Sequence, residues 1–151
     1  MSGIYLVVWD DVENDNSAVL RMTKGGPPHV TVAYTGKLLE RNVLLDIAGH
    51  CLSQWALKDI TLVNAYVNSF QTSKGVMRHD VLMALSDQDA AEIRDMRDSF
   101  LVSYANAHQF VMRVPHVTHS INATKQEADV TAAMLNELHL PCKVKVIGVT
   151  I

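Results

Sequence analysis

The sequence predicts an α+β fold built from two related lobes, and three observations support this prediction. A short stretch occurs twice, at residues 28–32 (PHVTV) and 115–119 (PHVTH). Each copy is followed by a helical stretch and then an apolar strand, at residues 60–63 and 144–147 respectively. The chain has 151 residues, of which 48% are hydrophobic, enough for one domain with a real core. We therefore expect one pseudo-symmetric domain over residues 1–151, with two antiparallel sheets forming a central groove and the helices outside.

The first half of the chain reads as strand, helix and hairpin. Residues 4–9 (IYLVVW) are β-branched and aromatic, which predicts a strand. Apolar residues recur at helical spacing between residues 37 and 57, which predicts a helix behind the first sheet. Residues 59–70 and 76–85 read as strands joined by a polar turn that contains Gly75, so we expect a hairpin there.

The second half carries clear signals for helix starts. Ser86 stands at an N-cap position ahead of an apolar stripe with helical spacing. Residues 124–127 (TKQE) form a capping box and open the last helix, and Pro141 follows its end. A final strand then alternates lysine with valine over residues 143–146.

Each copy of the repeat puts an imidazole beside a hydroxyl. A strand sends residues i and i+2 to the same face, so His29 lies beside Thr31 and His116 beside Thr118. If the two strands face one cavity, that cavity contains one base, one acid and two hydrogen-bonding anchors. This set of groups suits a phosphodiester.

His116 and His119 are three residues apart, and this raises the alternative of a metal site. On a strand, an offset of three sends the two rings to opposite faces, so they cannot share an ion. No cysteine or carboxylate cluster in the sequence completes such a site. We therefore expect neither a metal nor another cofactor.

The two His-x-Thr signatures resemble those of the 2H phosphoesterase superfamily, which includes LigT-like enzymes and other cyclic phosphodiesterases. Residues 29–36 (HVTVAYTG) are the closer match, because they resemble the family's His-apolar-Thr-apolar run that closes on glycine. In the second copy, His119 stands where the family usually has an apolar residue. By motif and order of elements the resemblance covers nearly the whole chain, and it implies the bilobal LigT-like fold.

The resemblance also implies that His29, Thr31, His116 and Thr118 are the catalytic set. One histidine takes a proton from the attacking water or hydroxyl and the other gives a proton to the leaving oxygen, which suits a side chain that titrates near neutrality. The threonines donate hydrogen bonds to the non-bridging oxygens, where charge must be held. Which histidine is the base stays open.

Three more residues are predicted to bind the substrate. If the even-numbered residues of the first strand face the helices, Tyr5 and Trp9 face the groove and stack on a base. Packing of both rings in the core is the alternative that the sequence leaves open. Lys145 is expected to lend positive potential to a bound anion.

The net charge of −3 favours a small nucleotide over a long nucleic acid, whose binding draws on many phosphate contacts. We predict hydrolysis of a cyclic nucleotide or cyclic oligonucleotide, as in the family's viral and phage branch, which degrades such signals to evade host immunity (anti-CBASS type). The alternatives are a 2′,3′-cyclic phosphodiesterase or RNA-end-processing enzyme, and a non-catalytic nucleotide-binding module. Without an apolar run that spans a bilayer or a signal peptide, a cytoplasmic location without a membrane partner is expected.

Overall fold

The computed structural model describes residues 3–9, 19–20, 26–35, 39–101 and 114–151. Gly36, which closes the first motif, lies outside the described residues. The described part of the chain contains six strands and three helices in a mixed order, which confirms the α and β composition that was predicted. In chain order they are β1 (Gly3–Trp9), β2 (His29–Tyr34), α1 (Arg41–Trp55), β3 (Asp59–Gln71), β4 (Met77–Leu85), α2 (Asp87–Leu101), β5 (His116–Asn122), α3 (Lys125–Leu138) and β6 (Cys142–Thr150).

All six strands belong to one closed antiparallel sheet, in the order β1-β2-β5-β4-β3-β6, with β6 returning to β1. The sequence predicted two separate sheets, and the structure corrects this. Two pairings join the two predicted lobes in one sheet. Strand β3 pairs with β6, and the motif strands β2 and β5 pair through Val30 and Val117. The pseudo-symmetric relation between the lobes stays a prediction.

The two faces of the sheet differ in burial. Leu6, Val30, Val117 and Val146 are at most 1% exposed and belong to a single hydrophobic core. Helix α1 packs against β1 and β6, and helix α3 packs against β3, β4 and β5. Since side chains alternate along a strand, the neighbours of these core residues point to the opposite face. We call that opposite face, which carries the side chains of both His-x-Thr motifs, the site face.

The local signals in the sequence are confirmed. The hydroxyl of Ser86 accepts a hydrogen bond from the backbone N–H of Asp89, and that of Thr124 accepts one from the backbone N–H of Glu127, both at 3.2 Å. Gly75 has a φ of +80° in the turn between β3 and β4, a conformation that favours glycine. None of the described helices is long and apolar enough to cross a membrane.

Asn136 of α3 completes an open edge of β3. Strand β6 pairs with β3 only as far as Leu62, so none of the described strands lies beside the backbone of Ala65 on that edge. The side chain of Asn136 accepts from the N–H of Ala65 at 2.7 Å and donates to its carbonyl at 2.9 Å. These two bonds fix helix α3 to the sheet.

We expect Asn136→Ala to lower the free energy of unfolding by about 1–3 kcal/mol, because it leaves the polar backbone groups of a buried residue without partners. Urea denaturation followed by circular dichroism measures this change. Glu137→Ala is the matched control, since Glu137 is exposed on the same helix and has no hydrogen bond to the sheet. Equal stability of the two variants would contradict the assigned role of Asn136.

Candidate active site

The two motifs meet on neighbouring strands. Val30 lies directly opposite Val117 in the β2–β5 pairing. Antiparallel register therefore places His29 opposite Thr118 and Thr31 opposite His116. All four side chains share the site face because the two valines point into the core. The result is a two-by-two cluster with the histidines on one diagonal and the threonines on the other.

The size of this cluster suits one phosphate group. Directly opposite residues on antiparallel strands have Cβ atoms about 4.5–5.5 Å apart, and diagonal neighbours are about 7–8 Å apart. A phosphate held between the diagonal histidines is then within hydrogen-bond reach of both rings and both hydroxyls. Thr31 is 9% exposed and Thr118 is half-buried, so both threonines are partly covered by their neighbours.

Both histidine rings are held in the same way. Nδ1 of His29 lies 2.8 Å from the carbonyl oxygen of Pro27, and Nδ1 of His116 lies 2.9 Å from that of Val114. A carbonyl oxygen only accepts, so each Nδ1 carries a hydrogen and donates it. In the neutral ring the lone pair is therefore on Nε2. The atom that takes up a proton is thus the same in both motifs.

A cavity of about 450 Å³ opens beside His29. Of the four motif residues, His29 is the one that lines it. In the part of the chain that the structure describes, no Asp, Glu, Lys or Arg side chain lines the cavity, so this lining suits an uncharged, flat group better than a second phosphate. The lining residues are Tyr5, Val7, Pro27, His29, Tyr34, Thr150 and Ile151.

Tyr5 is the central ring of this cavity. Its centroid lies 5.2 Å from that of His29 and 6.1 Å from that of Tyr34, edge-on in both cases. Burial, and to a lesser degree the neighbouring Tyr34, raises the pKa of Tyr5 above its usual value of 10.0. The Tyr5 hydroxyl therefore stays protonated at neutral pH.

The structure separates the other two predicted substrate-binding residues from the cavity. Trp9 lies opposite Lys145 in the β1–β6 pairing, and neither residue lines the cavity. Nζ of Lys145 lies 3.1 Å from a carboxylate oxygen of Asp59, which offsets its charge. Trp9 is 40% exposed at the end of β1. Of the three predicted side chains, the structure thus places Tyr5 against His29 of the motif cluster, whereas Trp9 and Lys145 lie outside the cavity.

His119 points away from the site. It is 2% exposed, whereas His116 is half-exposed on the other face of the same strand. The last position of the second motif stretch, residues 115–119, is therefore a buried one. Among the described residues, no three His, Cys, Asp or Glu side chains lie close enough together to hold a metal ion.

Tyr34 is the cavity residue that the sequence reasoning missed. Strict alternation from Thr31 would send Tyr34 to the core, but the β1–β2 register shifts between Ile4 and Tyr5. Ile4 pairs with Ala33 and Tyr5 with Thr31, so β2 contains one extra residue and Tyr34 returns to the face of Tyr5. No residue type in this stretch signals the bulge in advance.

No family model matches the sequence, and a comparison with curated proteins finds no match. Among solved structures, Usb1 from Kluyveromyces marxianus is similar, with a TM-score of 0.52 at 13% sequence identity. The similarity covers 98% of this chain and 95% of that chain. At this identity the likeness concerns the fold alone. The chain thus has a fold similar to that of Usb1 over nearly its whole length.

Proposed function

We propose that this chain is a metal-independent phosphodiesterase that hydrolyses a cyclic nucleotide or cyclic oligonucleotide, with His29 and His116 as acid and base. The observation that carries the proposal is the diagonal pair of histidines, each held through Nδ1 by the carbonyl two residues before it. Binding alone would not need two titratable rings in matched orientations. Acid–base catalysis does need them.

In this mechanism, Nε2 of one histidine takes a proton from the attacking water as the new oxygen–phosphorus bond forms. Nε2 of the other gives its proton to the ester oxygen as the old bond breaks. One water is consumed, and the net proton passes from water to the leaving alcohol. Thr31 and Thr118 donate hydrogen bonds to the non-bridging oxygens, where the transition state gathers charge. Which histidine starts as the base depends on the direction of reaction.

A second candidate function for the chain is that of a 2′,3′-cyclic phosphodiesterase or RNA-end-processing enzyme, because the His-x-Thr motifs resemble those of both branches of the 2H phosphoesterase superfamily. The similarity to Usb1 concerns the fold and is compatible with both candidates. The role in evading host nucleotide signalling comes from the resemblance to the viral and phage branch and stays a prediction.

The lining of the cavity and the net charge of the chain favour a small substrate. Among the described residues, no Asp, Glu, Lys or Arg side chain lines the cavity beside His29, and two tyrosines do line it. This lining suits one nucleobase, because aromatic side chains stack on any base. The chain carries a net charge of −3, whereas proteins that collect long nucleic acids have a basic excess. Both features favour a cyclic nucleotide over extended RNA.

The test is to incubate the protein with cyclic dinucleotides, cyclic trinucleotides and 2′,3′-cyclic mononucleotides and to separate the products by chromatography. We expect turnover that survives EDTA and has a bell-shaped pH dependence, because one histidine must be neutral and the other protonated. A strict requirement for a divalent ion would contradict the mechanism. Turnover of the 2′,3′-cyclic mononucleotides alone would favour the second candidate, and binding without turnover of any substrate would favour a non-catalytic module.

A further inference from the structure

The site face continues from the motif cluster onto β4. His116 pairs with Ala84, and Thr118 pairs with Leu82. Side chains alternate along β4, so Asp80 and Arg78 point to the same face as Leu82. The face that would hold the scissile phosphate thus extends along this strand towards the hairpin turn. At the end of this face near the turn lies the positively charged side chain of Arg78.

Arg78 is held in a fixed plane. Its Nε and Nη2 donate to the two carboxylate oxygens of Asp80 at 2.9 and 2.8 Å. The Asp80 side chain is 8% exposed, so the acceptor is buried. The guanidinium also lies 4.7 Å from the ring centroid of Phe70, directly across on β3. These contacts therefore position the Arg78 side chain before a ligand binds.

This arrangement keeps part of the guanidinium available. Two of its five N–H donors bind Asp80, and the Arg78 side chain is 39% exposed. The edge formed by Nη1 and the outer hydrogen of Nη2 is a second fork with no acceptor in the part of the chain that the structure describes. Such a fork matches two oxygens of one phosphate. Asp80 offsets the charge of Arg78, as Asp59 does for Lys145, but the second fork of the guanidinium still presents directed N–H donors.

Arg78 cannot serve the phosphate of the catalytic cluster. It lies four residues along β4 from Leu82, which at the rise of a strand is about 13 Å from the row of Thr118. A phosphate between His29 and His116 is therefore too far from Arg78 for direct contact. Another phosphate of a longer ligand is close enough for this contact.

We propose that Arg78 binds a second phosphate of the substrate, at a subsite separate from the motif cluster. This inference rests on the proposed function and deepens it. A ligand with two or more phosphates, such as a cyclic or linear oligonucleotide, gains this contact, and a cyclic mononucleotide does not. The subsite therefore selects for ligand length, independently of the base in the Tyr5 cavity.

The experiment compares the binding of 3′-AMP, which has one phosphate, with that of the dinucleotide ApAp, which has two. Calorimetric titrations are made with Arg78→Lys and its parent, both in a His116→Ala background so that ApAp is not cleaved. We expect Arg78→Lys to raise the Kd for ApAp about tenfold, since a charge-assisted fork is lost, and to leave the Kd for 3′-AMP unchanged. Lysine keeps the positive charge, so Arg78→Lys should leave the slope of log Kd against log salt for ApAp nearly unchanged.

Two further variants separate binding from folding. Lys74→Ala removes a charge from the exposed turn of the same hairpin, and it should change neither Kd. The double variant Arg78→Met with Asp80→Asn removes the buried charge together with its partner, so it should fold and reproduce the loss for ApAp.

Three results would overturn the proposal of a second phosphate subsite. They are an unchanged Kd for ApAp in Arg78→Lys, an equal rise for both ligands, and parent proteins that bind 3′-AMP and ApAp equally well. If the protein with intact His116 did not bind 3′-AMP at all, this result would instead contradict the proposed function. The proposal of a second phosphate subsite would then be wrong as well. The two failures are thus distinguishable.

Discussion

Replacement of His29 or His116 by alanine should lower kcat about 10²- to 10⁴-fold, the range for loss of one positioned acid or base. The expected cause is removal of one Nε2 from the proton transfer, so the Kd for a product such as 3′-AMP should change much less than kcat. The double variant should be little worse than either single one, because the two rings act as a unit. Steady-state kinetics and calorimetric titration on the same preparations measure both quantities.

His50→Ala is the matched control for this experiment. His50 is exposed on α1, which packs on the core face of the sheet, and its loss should leave kcat unchanged. Full activity in either His29→Ala or His116→Ala would contradict the mechanism. An equal loss in all three variants would trace the effect to folding instead of chemistry.

The largest expected effect on stability is that of Leu6→Ala, at about 2–5 kcal/mol of unfolding free energy. Leu6 is 0% exposed and lies between Val30 of β2 and Val149 of β6. Removal of its side chain leaves a cavity directly behind the first motif strand. Urea denaturation measures the change in unfolding free energy.

Leu45→Ala provides the same chemical change at an exposed position. Leu45 is 51% exposed on α1, so its replacement should alter stability by less than about 0.5 kcal/mol. Comparable destabilisation by the two variants would mean that the core does not lie behind β1 as described.

Features that depend on a few neighbouring residues were predictable from the sequence. The hydroxyl of Thr124 and the glycine at position 75 act within their own turn, where residue type and local geometry are directly coupled. Burial on the core face followed from alternation, as for Leu6 in β1. The number of sheets could not be predicted from the sequence, because it depends on which distant strands pair with each other. Strands β3 and β6 are such a pair.

The same distinction applies to the candidate site. The repeated His-x-Thr motif pointed to the motif cluster, since both residues of each pair share a face on any regular strand. Tyr34 was missed because a bulge changes its face, and the bond of Lys145 to Asp59 could not be foreseen without the β3–β6 register. The Arg78–Asp80 fork was missed because spacing indicates a shared face but not the burial of one partner.

The pairing of Val30 with Val117 has a consequence for how the protein folds. The two residues come from different halves of the chain, so their contact closes a long loop and must offset the entropy of that closure. Hairpins such as β3–β4 close short loops and form early, whereas contacts between distant segments slow folding. The pair of histidines is therefore assembled by one of the longest-range contacts in the sheet. A refolding chain should regain its secondary structure before it can transfer a proton, and nascent or partly unfolded molecules should be inactive towards nucleotides.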